Sequence, residues 1–147
     1  MLELHTPYTA TCIHVPDADD LTLWMPHTHI RIRLAHIDAP ESGQPYASIA
    51  QRTLRSLALN REINFRIIKW DNYGRAIADT QTATAGDLSA LLLKLGLAWW
   101  YRKYCRHPYY GQLEHHAREK KLGLWAEPNP EPPWSYRATA RRRTKRT

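Results

Sequence analysis

Cysteine is nearly absent from this chain: there are two in 147 residues, Cys12 and Cys105, far apart in sequence. Two cysteines do not make a disulfide framework, and neither has a partner at metal-ligand spacing, which argues against a structural zinc site. Both read as buried or half-buried free thiols. No apolar run is long enough to cross a bilayer. The opening stretch, Met1 to Tyr8, lacks the basic and apolar regions of a secretory signal. With Met1 as the natural start, that points to the cytoplasm; a trimmed precursor would mean export. Internal repeats are missing as well. What remains is an ordinary globular composition, 43% hydrophobic, at a length that suits one domain with a real core and is too short for two.

Charge is unevenly placed. The formal net charge is +7. Residues 137–147 hold Arg137, Arg141, Arg142, Arg143, Lys145 and Arg146 with no acid among them, so the rest of the chain carries only +1. Such a segment either binds polyanions with little sequence preference or is simply a solvated end.

Alternation predicts strands at Tyr8 to Val15, Leu21 to Met25, Thr28 to His36, Glu62 to Trp70 and Arg75 to Thr80. In the third of these Ile30, Ile32 and Leu34 share one face, and Arg31 and Arg33 the other. Helical spacing of Ala47, Ala50, Leu54 and Leu57 predicts a helix over Tyr46 to Leu59. Asp87 is a good N-cap for a short helix ended by Gly96, and a last helix is expected from about Tyr109 to Lys121. Four prolines between Pro128 and Pro133 mark the end of the compact body. The expected organisation is a folded domain over residues 1–134 and a basic, disordered tail over 135–147. Early strands with interspersed helices suggest an α+β unit, with a five-stranded barrel and packed helices as a fitting topology.

Three segments carry chemistry together: Asp17-Ala18-Asp19, then Arg33 through Asp38-Ala39-Pro40-Glu41, then Asp71-Asn72-Tyr73-Gly74-Arg75. A turn rich in Asp is ordinary by itself. Two acid-bearing corners near one another are a different matter, because carboxylate oxygens suit a hard cation such as Ca²⁺ or Mg²⁺. Guanidinium groups present paired donors that match phosphate oxygens. Glu41 is the candidate for activating or orienting an attacking water, or for contacting metal-bound waters. Pro40 biases Ala39 to an extended shape, which would hold its carbonyl toward an ion. The mixture fits metal-assisted cleavage of a phosphodiester. Trp99 and Trp100 read as core, while Tyr101 and Tyr104 are candidates to stack on bases of a single strand. His27 and His29 lack a third ligand in register and read as surface or half-buried residues.

The order and intervals of these motifs resemble the staphylococcal nuclease family. Asp17-Ala18-Asp19 corresponds to its D-G-D turn, Arg33 to Glu41 to its R-x4-D-x-P-E segment, and Asp71 to Arg75 to its D-x-Y-G-R turn. Gly96-Leu97-Ala98 and Leu124-Trp125 match later family features, so the likeness runs from about Tyr8 to Trp134. The resemblance implies an OB-fold-type five-stranded Greek-key barrel with three helices. It implies a Ca²⁺-dependent endonuclease cleaving DNA and RNA with low sequence specificity, a monomer with no membrane association. By the same resemblance Asp19, Asp38 and the Ala39 carbonyl are metal ligands, Glu41 is the water-activating or water-ordering acid, and Arg33 and Arg75 clamp the phosphate. Tyr73 lies at the substrate rim. Ala18 stands where the family has glycine, and a positive φ there would cost roughly 1 kcal/mol. Asp20 adds an anion beside the expected ion. The alternative function is a nucleic-acid-binding module of the same fold without catalysis. A nuclease whose basic tail docks on another macromolecule is a further one.

Overall fold

The computed structural model describes residues 2–103 and 107–146. Tyr104 and Cys105, named above as a base-stacking candidate and a free thiol, lie outside the described residues. The chain opens with β1 (Tyr8–Asp17), β2 (Asp20–Met25), β3 (Thr28–Leu34) and the short β4 (Ile37–Asp38). Helix α1 (Ala47–Ala58) separates these from β5 (Glu62–Trp70), β6 (Ala76–Thr82) and β7 (Gly86–Asp87). Then come α2 (Leu88–Lys94), β8 (Trp99–Trp100), α3 (Pro108–Glu119), a 3₁₀ turn (Gly123–Ala126) and α4 (Pro133–Arg146).

Period-two patterning drives the sheet. In β5 the residues Ile63, Phe65 and Ile67 are buried while Glu62, Asn64 and Arg66 are exposed. Antiparallel ladders join β1 to β2, β2 to β3, β1 to β5 and β5 to β6. A parallel ladder between β3 and β6, with Arg33 opposite Ile77, closes the ring into a five-stranded mixed barrel. Closure removes the free edges that an open sheet would expose. The fold is thus the OB-type α+β barrel that the resemblance implied. Register shifts along β1, between Cys12 and His14 and between His14 and Asp17, let this long strand bend enough to serve two neighbours.

Helices close the barrel ends. Ala50, Leu54 and Ala58, spaced four apart on α1, are fully buried against it. Asp87 caps α2 as expected, its carboxylate accepting a hydrogen bond from Ala90 N–H at 3.0 Å. Gly96 (φ 73°) and Gly123 (φ 50°) meet where α2 and α3 end; a Cβ on Gly96 would lie 2.2 Å from the Leu122 carbonyl oxygen. Cys12 is fully buried and free, and burial pushes its thiol up. Trp99 is buried and Trp100 half-buried, as core tryptophans should be. No helix among the described residues is long and apolar enough to cross a membrane.

Two expectations need correction. Among the described residues the α-helices number four rather than three, and the segment expected to be a disordered tail from residue 135 forms α4 instead. The physical reason is local. Residues 134–146 contain no glycine or proline, and five of them are Arg and two Ala, both good helix formers. Pro133 starts the helix where its missing N–H costs nothing, and Arg143, Lys145 and Arg146 sit in the last turn, where cations favour the dipole. The proline-rich stretch before it is a connector that brings the chain back, with Gln44 Nε2 donating to the Glu131 carbonyl at 2.9 Å.

Candidate active site

Antiparallel pairing of β2 with β3 sets Asp20 opposite Arg33, so the first acidic corner abuts the end of the arginine strand. The backbone ties the corners together: Leu34 N–H donates to the Asp19 carbonyl at 2.8 Å, and Ala39 N–H to Asp19 Oδ2 at 2.9 Å. Ala18 is buried but is not among the residues with positive φ, so the glycine-to-alanine difference carries no backbone strain here. The residues expected to act together do converge. Asp19, Asp38, Ala39, Glu41, Arg33, Arg75, Tyr73 and Tyr101 all line one cavity of about 480 Å³.

Arg33 is not the exposed side chain that its strand face suggested; it is 5% exposed, because the acidic corners fold over it. Its Nη1 donates to the Leu34 and Ile37 carbonyls at 3.0 Å and lies 3.4 Å from Asp19 Oδ2, while Nη2 reaches Asp38 Oδ1 at 3.2 Å. One guanidinium therefore bridges both expected metal ligands and fixes their spacing.

The second arginine is placed by a turn. Asp71 Oδ1 accepts from Tyr73 N–H at 2.8 Å and Arg75 N–H at 2.9 Å, and its Oδ2 accepts from Arg75 Nε at 2.7 Å. Burial pushes the Asp71 carboxyl up, but these bonds outweigh it and hold the group below the usual carboxylate value. Arg75 Nη1 reaches both oxygens of Asp20 at 3.2 Å. Asp20, whose role beside an ion the sequence left open, is thus engaged by Arg75, with Arg31 at 3.8 Å. Burial, followed by repulsion from Asp19, pushes the Asp20 carboxyl up to about 6 despite Arg75 and Arg33. Tyr73 stands 82% exposed at the cavity mouth, its ring 5.9 Å from the Arg75 guanidinium.

Sequence reasoning missed a third arginine in the site. Arg137 of α4 forks onto Asp38, Nη1 to Oδ1 at 3.1 Å and Nη2 to Oδ2 at 2.7 Å, and its Nη1 also reaches Glu41 Oε1 at 2.6 Å. Successive turns of the helix face the same way, and Trp134, Arg137 and Arg141 all line the cavity. Their spacing of three and four is the signal that would have found them. Burial raises the Asp38 carboxyl, and the bonds from Arg137 and the charge of Arg33 pull it back. Trp134 stacks on Tyr101, ring centroids 5.5 Å apart, and sets its edge against Trp99.

The donor set around the cavity is oxygen only, which suits a hard cation and excludes a soft one. Among the described residues no three acidic, histidine or cysteine side chains stand in a ready-made ligating arrangement. A positive charge is nevertheless seated on Asp38 and Glu41, and it belongs to Arg137. By chemistry the residues fit a hard divalent ion; by occupancy they now hold a guanidinium.

Comparison with known proteins agrees with this geometry. The sequence pattern of the family described as staphylococcal nuclease homologue matches residues 31–127. A micrococcal nuclease from Shigella flexneri is 33% identical over 144 residues, covering 90% of this chain and 82% of its own. A protein named uncharacterized endonuclease from Escherichia coli is 30% identical over 125 residues, 85% of this chain and 82% of its own. The staphylococcal-like nuclease CAN1 of Arabidopsis thaliana is 37% identical over 111 residues, which make up 76% of this chain and 34% of that protein. With the barrel, the two acidic corners and the paired arginines in place, the chain belongs to the staphylococcal nuclease family.

Proposed function

We propose that this protein is a Ca²⁺-dependent endonuclease that hydrolyses phosphodiester bonds of DNA and RNA with low sequence specificity. The observation that carries the reading is the convergence of Asp19, Asp38, Glu41, Arg33 and Arg75 on one cavity. In it Asp19, Asp38 and the Ala39 carbonyl would hold the ion, which would supply positive charge to the phosphate. Glu41, its side chain 37% exposed, is open enough to meet water and orients the one that attacks phosphorus in line. Arg75 offers Nη2, which has no protein partner among the described residues, to the phosphate. Arg33 braces the two aspartates and adds charge behind them, steadying the anion that builds as water adds. Tyr73 contacts a flanking phosphate at the rim, and Tyr101 and Tyr104 stack on bases.

Plasmid nicking in Ca²⁺ and in EDTA tests the reading. Nicking that needs Ca²⁺ and falls about a hundredfold or more in Arg75→Ala, with the fold intact by circular dichroism, is the expected result. Full activity in Arg75→Ala refutes the role given to it. Binding of DNA without cleavage across several divalent ions would favour the non-catalytic module.

A further inference from the structure

Helix α4 touches the site with the two groups that most resemble what the site should bind. Arg137 places a cation on Asp38 and Glu41, with three hydrogen bonds between 2.6 and 3.1 Å. Trp134, three residues earlier, lays an indole on Tyr101, the residue expected to stack on a base. Pro133 alone of its residues is buried, so the helix lies on the surface of the body. Asp38 is 1% exposed, and the fork of Arg137 covers both of its oxygens. A divalent ion and this guanidinium cannot share them. The proline connector before α4 carries no helical structure, and past Arg137 the helix bears the exposed Arg141, Arg142, Arg143, Lys145 and Arg146.

We propose that α4 is an intramolecular inhibitor of the site: Arg137 competes with the divalent ion for Asp38 and Glu41, while Trp134 covers the Tyr101 ring that a base would use. The proposal rests on the cation reading above. In the closed state, apparent ion affinity is reduced by the fraction of molecules with α4 lifted away. Ion binding must in turn lift α4, because the coupling is reciprocal.

Calcium titration of the intact chain by calorimetry, without nucleic acid, is the test. Arg137→Ala is expected to bind Ca²⁺ about tenfold more tightly than the parent, a coupling of ordinary size. Arg142→Ala removes the same charge from the same helix at an exposed residue outside the cavity, and should stay within about twofold of the parent. Trp134→Ala keeps every charge and loosens the helix, so it too should tighten Ca²⁺ binding; it serves if Arg137→Ala does not fold. In the parent, saturating Ca²⁺ should speed hydrogen exchange of the α4 amides. Equal Ca²⁺ affinity in the parent, Arg137→Ala and Trp134→Ala, or α4 exchange unmoved by Ca²⁺, overturns the inhibitor and leaves the cation reading standing. Absence of Ca²⁺ binding in all of them overturns the cation reading, and the inhibitor with it.

Discussion

Asp20 shows how one carboxylate can be held at a cost. It is 3% exposed, next to Asp19 in sequence, and secured mainly by Arg75. Its pKa rises in the folded protein from the ordinary 3.8 to about 6. The folded chain therefore binds this proton more tightly than the unfolded chain does. Between those two values folding is favoured by acid, and the Asp20 share of stability falls as pH rises through the window. Urea unfolding of metal-free protein at several pH values checks this: parent and Asp20→Asn should differ in slope between pH 4 and 6, the parent losing stability relative to the variant. Parallel curves would mean that Arg75 neutralises Asp20 in full. Which residues share the cavity was legible at this scale, since the motifs carry Asp19, Asp38, Glu41, Arg33 and Arg75. What the sequence did not disclose was engagement. That Arg33 is buried and that Asp20 and Asp71 grip Arg75 depends on strand pairing and turn geometry, which no local pattern encodes.

Among the elements, β5 and α1 were readable almost to the residue because their burial follows a strict period of two or of four. Helix α4 was not, because a cationic run looks like a solvated chain when its neighbours in space are unknown. Its apolar and charged contacts fall on one face only in the light of the cavity they meet. The junction of α2 and α3 gives a sharper case. Gly96 was readable as a helix stop, yet its approach to Leu122 and Gly123 comes from tertiary packing. Gly96→Ala asks an alanine to hold a φ of 73° with its Cβ against backbone. The expected loss is on the order of 2 kcal/mol or more, read as a lower urea midpoint with an unchanged m-value. A variant as stable as the parent would show that the two loops can part freely.

At the scale of the whole molecule, alternation announced the strands but not the closure. The β3–β6 ladder pairs residues more than forty positions apart and runs parallel, so only the completed barrel reveals it. Charge at this scale separates into a body near neutrality and a basic helix. If the end of α4 engages nucleic acid, ending the chain at Ala140 removes Arg141, Arg142, Arg143, Lys145 and Arg146 but keeps Arg137. The slope of log affinity against log salt should then shrink by up to about 0.9 for each phosphate that is no longer neutralised. An unchanged slope in fluorescence-anisotropy titrations would show that this end points away from the substrate.

Arg137 also follows every carboxylate of the site in the order of synthesis. While the chain is being made, the residues of the barrel and its acidic corners are joined before the guanidinium that covers them. A newborn chain therefore passes through an interval in which Asp38 and Glu41 have been made but Arg137 has not. Arg137 supplies the last of the positive charges that Asp38 meets, after Arg33.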